Sequence, residues 1–221
     1  MAKEFKGEIT NKEQILGDVR NAIIEKQEAT LKDVDKRTET WVPINEEDGT
    51  AITFVQHFKE QGGIFIYLES EAELAECLQQ LIPENGWEPL CCTSPEMQSL
   101  LQRNGIGFAS DIPREANQKI VSITDCECLV AQTGSILLSE AQCQSRRAYS
   151  TPDVLLVVAH THQIVGGMKD ALHKMKTKYE DSNPSQIAIV TGPSRTSDIE
   201  QTTVIGAHGP RQLAVFLIDE E

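Results

Sequence analysis

Asp153-Val-Leu-Leu-Val-Val-Ala159 is the strongest buried strand that the sequence offers. An unbroken apolar run rich in β-branched residues suits a strand covered on both faces, which is the habit of parallel sheets. Working outward, Leu213-Ala-Val-Phe-Leu-Ile218, Ile64-Phe-Ile-Tyr-Leu68, Ile120-Val-Ser-Ile123, Ser135-Ile-Leu-Leu138 and Ile187-Ala-Ile-Val190 read as further strands, the last also as a buried one. Another falls near Glu88–Cys92. Helical patterns lie between them. Ala51, Phe54, Val55 and Phe58 mark an amphipathic helix that Gly62-Gly63 ends. Ser70 and Glu73 form a capping box ahead of Leu74, Leu78 and Leu81, and Ser94-Pro95 joins an N-cap to a proline at the first helical position. A helix through Met168–Lys178 precedes the last two strands. This alternation predicts a largely parallel sheet covered on both faces, an α/β fold.

A chain of 221 residues favours one α/β domain with a short extension over two independent domains. Residues 1–40 read as that extension: Ile15, Leu16, Val19, Ala22 and Ile23 give a helix over Asn11–Ala29, and Asp33–Thr40 is a charged linker. The main domain is expected over 41–221. A net charge of -14 disfavours nucleic acid or an anionic membrane as partner. No segment reaches the roughly 18 apolar residues of a membrane span. The polar N-terminus lacks the apolar core of a signal peptide, so a cytoplasmic protein is expected, its six cysteines as thiols. They show no C-x-x-C pair and no cluster-binding run, so no cofactor is expected on this chain.

The residues richest in chemistry lie between the last two strands, in Val190-Thr-Gly-Pro-Ser-Arg-Thr-Ser-Asp-Ile-Glu200 and Gly206-Ala-His-Gly-Pro-Arg211. At the carboxyl end of a strand in an open α/β sheet, such a loop is an expected ligand site. Gly192, ahead of Pro193, permits a sharp turn and a close approach. Ser194 and Thr196 offer hydroxyls, and Arg195 offers a planar fork suited to carboxylate or phosphate. Arg195 either clamps such an anion or pairs with Asp198 or Glu200. His208, in a turn with Gly209, either transfers a proton near neutral pH or satisfies loop carbonyls. A second turn, Ala131-Gln-Thr-Gly-Ser135, can expose donors on Thr133, Gly134 and Ser135 to an anion. It is neither a Walker A loop nor a dinucleotide fingerprint. Arg146 and Arg147 either reach the same pocket or pair with surface carboxylates. His160 and His162 lack a third ligand, so no metal site is expected.

Together, Gln132-Thr-Gly-Ser-Ile136, Arg146-Arg147 with Pro152-Asp153, Ile164-Val165, and above all T-G-P-S-R-T-S-D-I-E with G-A-H-G-P resemble the LUD-domain family, in its lactate-utilisation protein C group. The resemblance covers roughly residues 40 to 220. It implies a three-layer α/β/α sandwich with a mainly parallel sheet, similar to the NagB/RpiA/CoA-transferase-like superfamily. It also implies an accessory role in a three-protein system that oxidises L-lactate to pyruvate, with iron–sulfur clusters carried by the partner components A and B. Family members commonly carry an acidic residue where this chain has Gln132. An amide cannot act as a carboxylate nucleophile, which argues against CoA transfer at that turn.

The resulting expectation is a small carboxylate or phosphate-bearing ligand held by Arg195, Ser194, Thr196 and the Gly134-Ser135 backbone. His208 is the candidate proton-transfer residue, and Asp198 or Glu200 orients Arg195. The alternatives are a self-contained isomerase or transferase and a non-catalytic scaffold for iron–sulfur partners.

Overall fold

The structure is a computed structural model that describes residues 49–113, 119–180, 182–196, 204–206 and 209–219. The expected N-terminal helix, the linker, and Asp198, Glu200 and His208 lie outside the described residues.

A five-stranded, wholly parallel sheet forms the centre, in the order β2-β3-β6-β11-β1. Its strands are β1 (Ile64–Leu68), β2 (Leu90–Cys91), β3 (Val121–Asp125), β6 (Val154–His160) and β11 (Gln212–Ile218). The apolar run that follows Asp153 is the middle strand, with Val154 through Ala159 all buried. Alternation sorts its side chains into two cores. Val154, Leu156 and Val158 join Ala214, Phe216 and Ile218 under α2 (Glu71–Asn85) and α3 (Pro95–Arg103). Leu155, Val157 and Ala159 join Leu213, Val215 and Leu217 on the opposite face.

That opposite face is covered by a second sheet together with helices. Its strands β4 (Cys128–Val130), β5 (Ser135–Ser139), β7 (Ile164–Val165) and β8 (Ile187–Val190) lie in the order β7-β4-β5-β8. α1 (Gly49–Glu60) and the short α4 (Glu140–Cys143) and α5 (Arg147–Ser150) complete the layer, and Phe54, Phe58, Leu129, Ile136, Leu138 and Tyr149 all reach the shared core. Outside it, α6 (Met168–Tyr179) packs Ala171 and Met175 on Cys128, Val130 and Leu137. The mainly parallel sheet with flanking helices matches the expected fold class, with the mixed sheet inserted on one side. Residues 195–196 and 204–205 pair as β9 and β10.

The sequence reading of Ile187–Val190 as buried is corrected. β8 is an edge strand, with Ile187 38% and Ile189 51% exposed. The same apolar run suits a central strand or an edge, because periodicity does not register neighbours. The local start and stop signals are where the sequence placed them. Ser70 accepts from the Glu73 amide and Ser94 from that of Met97, while Gly62 at φ +87 closes α1 through hydrogen bonds to Lys59 and Phe58 carbonyls from the amides of Gly62 and Gly63.

One buried carboxylate ties the layers together. Glu127, its side chain 1% exposed, accepts from Lys178 Nζ at 2.7 Å, from the Tyr179 hydroxyl at 2.6 Å and from Ser139 Oγ at 2.5 Å. The three donors come from α6 and β5, so a single charge clamps the end of α6 to the mixed sheet. Glu127→Ala strands those donors and is expected to lower stability by ~2–4 kcal/mol in urea unfolding. Lys178→Met is expected to cost at least as much, because the Glu127 carboxylate, 1% exposed, then stays buried without its counter-charge.

Candidate functional site

The direction of each strand decides where the candidate residues go. β4 leaves the carboxyl edge of the parallel sheet after Asp125, and β5 returns antiparallel, so the intervening Ala131–Gly134 turn lies at the amino edge. β8 runs antiparallel to β5 and also ends at the amino edge, where the chain feeds β11. The carboxyl-edge placement expected for the Thr191–Arg211 loop is therefore corrected. β8 belongs to the mixed sheet, and β11 is a parallel strand that can be entered only from its amino end.

At that edge the two signature turns meet. Ile136 pairs with Val190, and one step beyond, Ser135 Oγ and Thr191 Oγ1 lie 2.7 Å apart. Thr133 Oγ1 extends the chain, 2.7 Å from Ser135 Oγ. Both turns press on the end of α1. Gly134, at φ +62, lies against the backbone of His57 and Phe58, and a Cβ on Gly192, at φ +75, would stand 2.6 Å from the Gln61 carbonyl oxygen. His57 Nδ1 sits 2.9 Å from the Ala131 carbonyl oxygen, strapping the turn to the helix.

Arg195 is exposed and donates through Nη2 to the Gln61 carbonyl at 2.5 Å, at the C-terminal end of α1, where a cation complements the helix dipole. Ser194 donates its amide to Pro210 and accepts at its carbonyl from Gly206. Gly209 lies against Ser194, and Thr196 pairs with Val204 across the β9–β10 ladder. Pro193 lies between Gly192 and Ser194 in the same turn. Arg146 does not join this group. It donates to Ser185 Oγ at 2.7 Å, and Ser185 donates to Glu140, beside the far end of β5. The length of β5, roughly 13 Å, separates the two places.

With these positions fixed, comparison with known proteins becomes informative. The sequence profile of the LUD domain matches residues 107–218, which hold β3 through β11. The chain belongs to the LUD-domain family. It is 28% identical over 163 residues to lactate utilization protein C of Anoxybacillus flavithermus, covering 68% of this chain and 72% of that protein. It is 34% identical over 97 residues to the protein of that name from Deinococcus radiodurans, 43% and 45% of the two chains, and 32% identical over 110 residues to that of Bacillus pumilus, 49% and 46%. The matched segments thus span less than half of these last two relatives. A crystal structure of a DUF162 family protein from Deinococcus radiodurans shares the fold, with a TM-score of 0.53 at 17% identity, over 80% of this chain and 99% of that one.

The carboxyl edge carries a second constellation that the sequence reading passed over. Asp125 ends β3, His160 ends β6, and a cleft of about 370 Å³ opens between them and the first turn of α3. Burial pushes the Asp125 carboxyl above its ordinary value, opposed by hydrogen bonds from Ser94 and Gln142 and reinforced by the negative charge of Glu96. A carboxylate ending a parallel strand was the available signal. The His160 and His162 rings stack with centroids 5.6 Å apart, and no three metal-ligating side chains gather among the described residues. Burial raises the Cys92 and Cys143 thiols to about 12. No described helix is long and apolar enough to cross a membrane.

Two measurements test these assignments. Gly134→Ala forces a side chain into the α1 backbone at positive φ and is expected to cost on the order of 3 kcal/mol in equilibrium unfolding. Asp125→Asn is expected to raise the melting temperature at pH 7. A carboxyl raised in the folded state makes the native protein bind more protons than the unfolded chain, so wild-type stability falls as pH climbs through that interval. The advantage of Asn should shrink as pH drops below the ordinary carboxyl range.

Proposed function

We propose that this chain serves lactate utilisation, as an accessory component of a multi-protein system that oxidises L-lactate to pyruvate, and that it holds a small carboxylate where the two signature turns meet. The similarity to proteins named lactate utilization protein C carries this reading. The chemistry at the amino edge supports it. Arg195 donates one Nη2 hydrogen to Gln61 and has further donors for a carboxylate, in the planar geometry that favours two parallel hydrogen bonds. The hydroxyls of Thr133, Ser135 and Thr191 form a neighbouring donor–acceptor chain.

In this reading Arg195 clamps the carboxylate, Ser194 and Thr196 supply hydroxyls, and Gly134 and Gly192 let the two turns close on the end of α1. His208 transfers a proton at the substrate hydroxyl, and Asp198 or Glu200 orients the guanidinium. Electron transfer belongs to iron–sulfur clusters on partner components A and B, since this chain supplies no cluster-spaced cysteines.

The test is lactate-dependent growth, or activity of the assembled system, in strains carrying folded variants. Arg195→Ala is expected to lower activity roughly tenfold to hundredfold, the effect of ~1.5–3 kcal/mol from a charge-assisted hydrogen-bond pair. Arg195→Lys keeps a cation near the Gln61 carbonyl but loses the fork, so it should remain impaired while restoring stability. Wild-type growth in both Arg195→Ala and His208→Ala would remove the proposed site.

A further inference from the structure

β8 is the open edge of the mixed sheet. From Ser182 to Ser194 the sequence carries no charged residue, in a chain of net charge -14. Edge strands are ordinarily guarded by charges, prolines or bulges. Between Pro184 and Pro193 this one has neither charge nor proline, and its register with β5 is regular. Ile187 and Ile189 lie exposed, opposite Ser139 and Leu137 of β5, and Leu137 faces the outer core under α6. The Glu140 amide donates to the Gln186 carbonyl, so the even-numbered residues of β8 turn their backbone groups toward β5. Those of Ile187 and Ile189 turn to the open edge, where no strand among the described residues meets them.

We infer that a second copy of this chain pairs here, β8 antiparallel to β8 about a two-fold axis at Ala188, and that the pairing carries the partner's Arg146 to the carboxylate site. The charge pattern favours a second copy, because two acidic chains approach at least cost through a neutral strip. The far end of that strip is balanced, with Arg146 donating to Ser185 and Ser185 donating to Glu140. The side chains set the register. With Ala188 opposite its own copy, each Ile187 faces the partner's Ile189 on one face, and the open backbone groups meet in pairs. A slip of one residue turns these isoleucines to opposite faces, and a slip of two loses one of the two Ile–Ile pairs. The same register sets the partner's Ser185 opposite Thr191, with Cβ atoms about 5 Å apart. Thr191 Oγ1 lies 2.7 Å from Ser135 Oγ, in the hydroxyl chain of the carboxylate site, and Arg146 donates to Ser185 Oγ at 2.7 Å. A guanidinium that β5 holds away from that site in its own chain thus stands beside it in the partner, with further N–H donors to offer. This role of Arg146 rests on the carboxylate reading, whereas the strand pairing does not.

Sedimentation equilibrium of the full chain is expected to show monomer and dimer in exchange. Ile189→Lys, at an exposed position, should weaken association roughly tenfold or more while the circular dichroism spectrum stays unchanged. Ala188→Cys should cross-link two copies under mild oxidation, read by mass spectrometry as a peptide joined at position 188 to itself. Titrated with sodium L-lactate, Arg146→Ala and Arg195→Ala should each bind roughly tenfold more weakly than wild type. Mixing those two variants should restore one site of wild-type affinity in each mixed dimer, since only there does an intact Arg195 meet an intact Arg146 across the axis. A chain that stays monomeric at every concentration, undiminished association in Ile189→Lys, or no cross-linked peptide would overturn the pairing. No restoration on mixing would overturn the role of Arg146. Wild-type protein that does not bind L-lactate removes the carboxylate reading and that role with it, while sedimentation still decides the pairing.

Discussion

β6 and β11 pair in parallel over seven residues, from Val154 opposite Gln212 to His160 opposite Ile218, and the rest of the molecule follows from that contact. Two apolar strands side by side bury residues on both faces, at roughly 1.5–3 kcal/mol for each large side chain withdrawn from water. The alternation along them divides the interior into one core under helices and one under a mixed sheet. Parallel pairing also constrains connectivity. A strand parallel to its neighbour must be entered from the same edge, so every segment leading into β11 has to arrive at the amino edge.

The two edges carry different chemistry. The amino edge collects positive-φ glycines, a chain of hydroxyls and an exposed guanidinium seated on the end of α1. The carboxyl edge collects Glu96, Asp125 and the buried Glu127, with Arg103 and Lys178 beside them. Of these acids Glu127 is fully engaged by its three donors, whereas Asp125 has only neutral hydrogen-bond partners and a raised carboxyl.

What was legible in the sequence follows from how local each cause is. β1, β6 and β11 were found because burial on both faces leaves an unbroken apolar run. Ser70, Ser94 and Gly62 marked helix ends because capping acts within four residues. β8 was misjudged because its exposed edge depends on which strand it neighbours, and Ile-Ala-Ile-Val carries no record of that. The two signature turns read as polar loops from their composition, but their edge depends on strand direction, which is a property of the whole sheet. Arg146 reads as a companion of the Thr-Gly-Ser turn because it follows soon after it in sequence, whereas β5 carries it to the far end. Glu127 looked like any acidic residue, since its partners at 139, 178 and 179 come from elements the sequence could not bring together.

The candidate anion site also crosses the boundary of the domain that identifies the family. The matched residues, 107–218, contain both signature turns but not α1. Yet α1 supplies the surface against which Gly134 and Gly192 close, His57 sits beside the Ala131 carbonyl, and the Gln61 carbonyl takes the Arg195 hydrogen bond. The glycines serve packing first. Each lies so near the helix that any side chain would meet its backbone, and both take a φ that glycine alone adopts without strain. Arg195 therefore has its position set from outside the matched domain, by the carbonyl end of a helix whose dipole it complements. The signature motif in this chain is half of a docking contact, and α1 holds the other half.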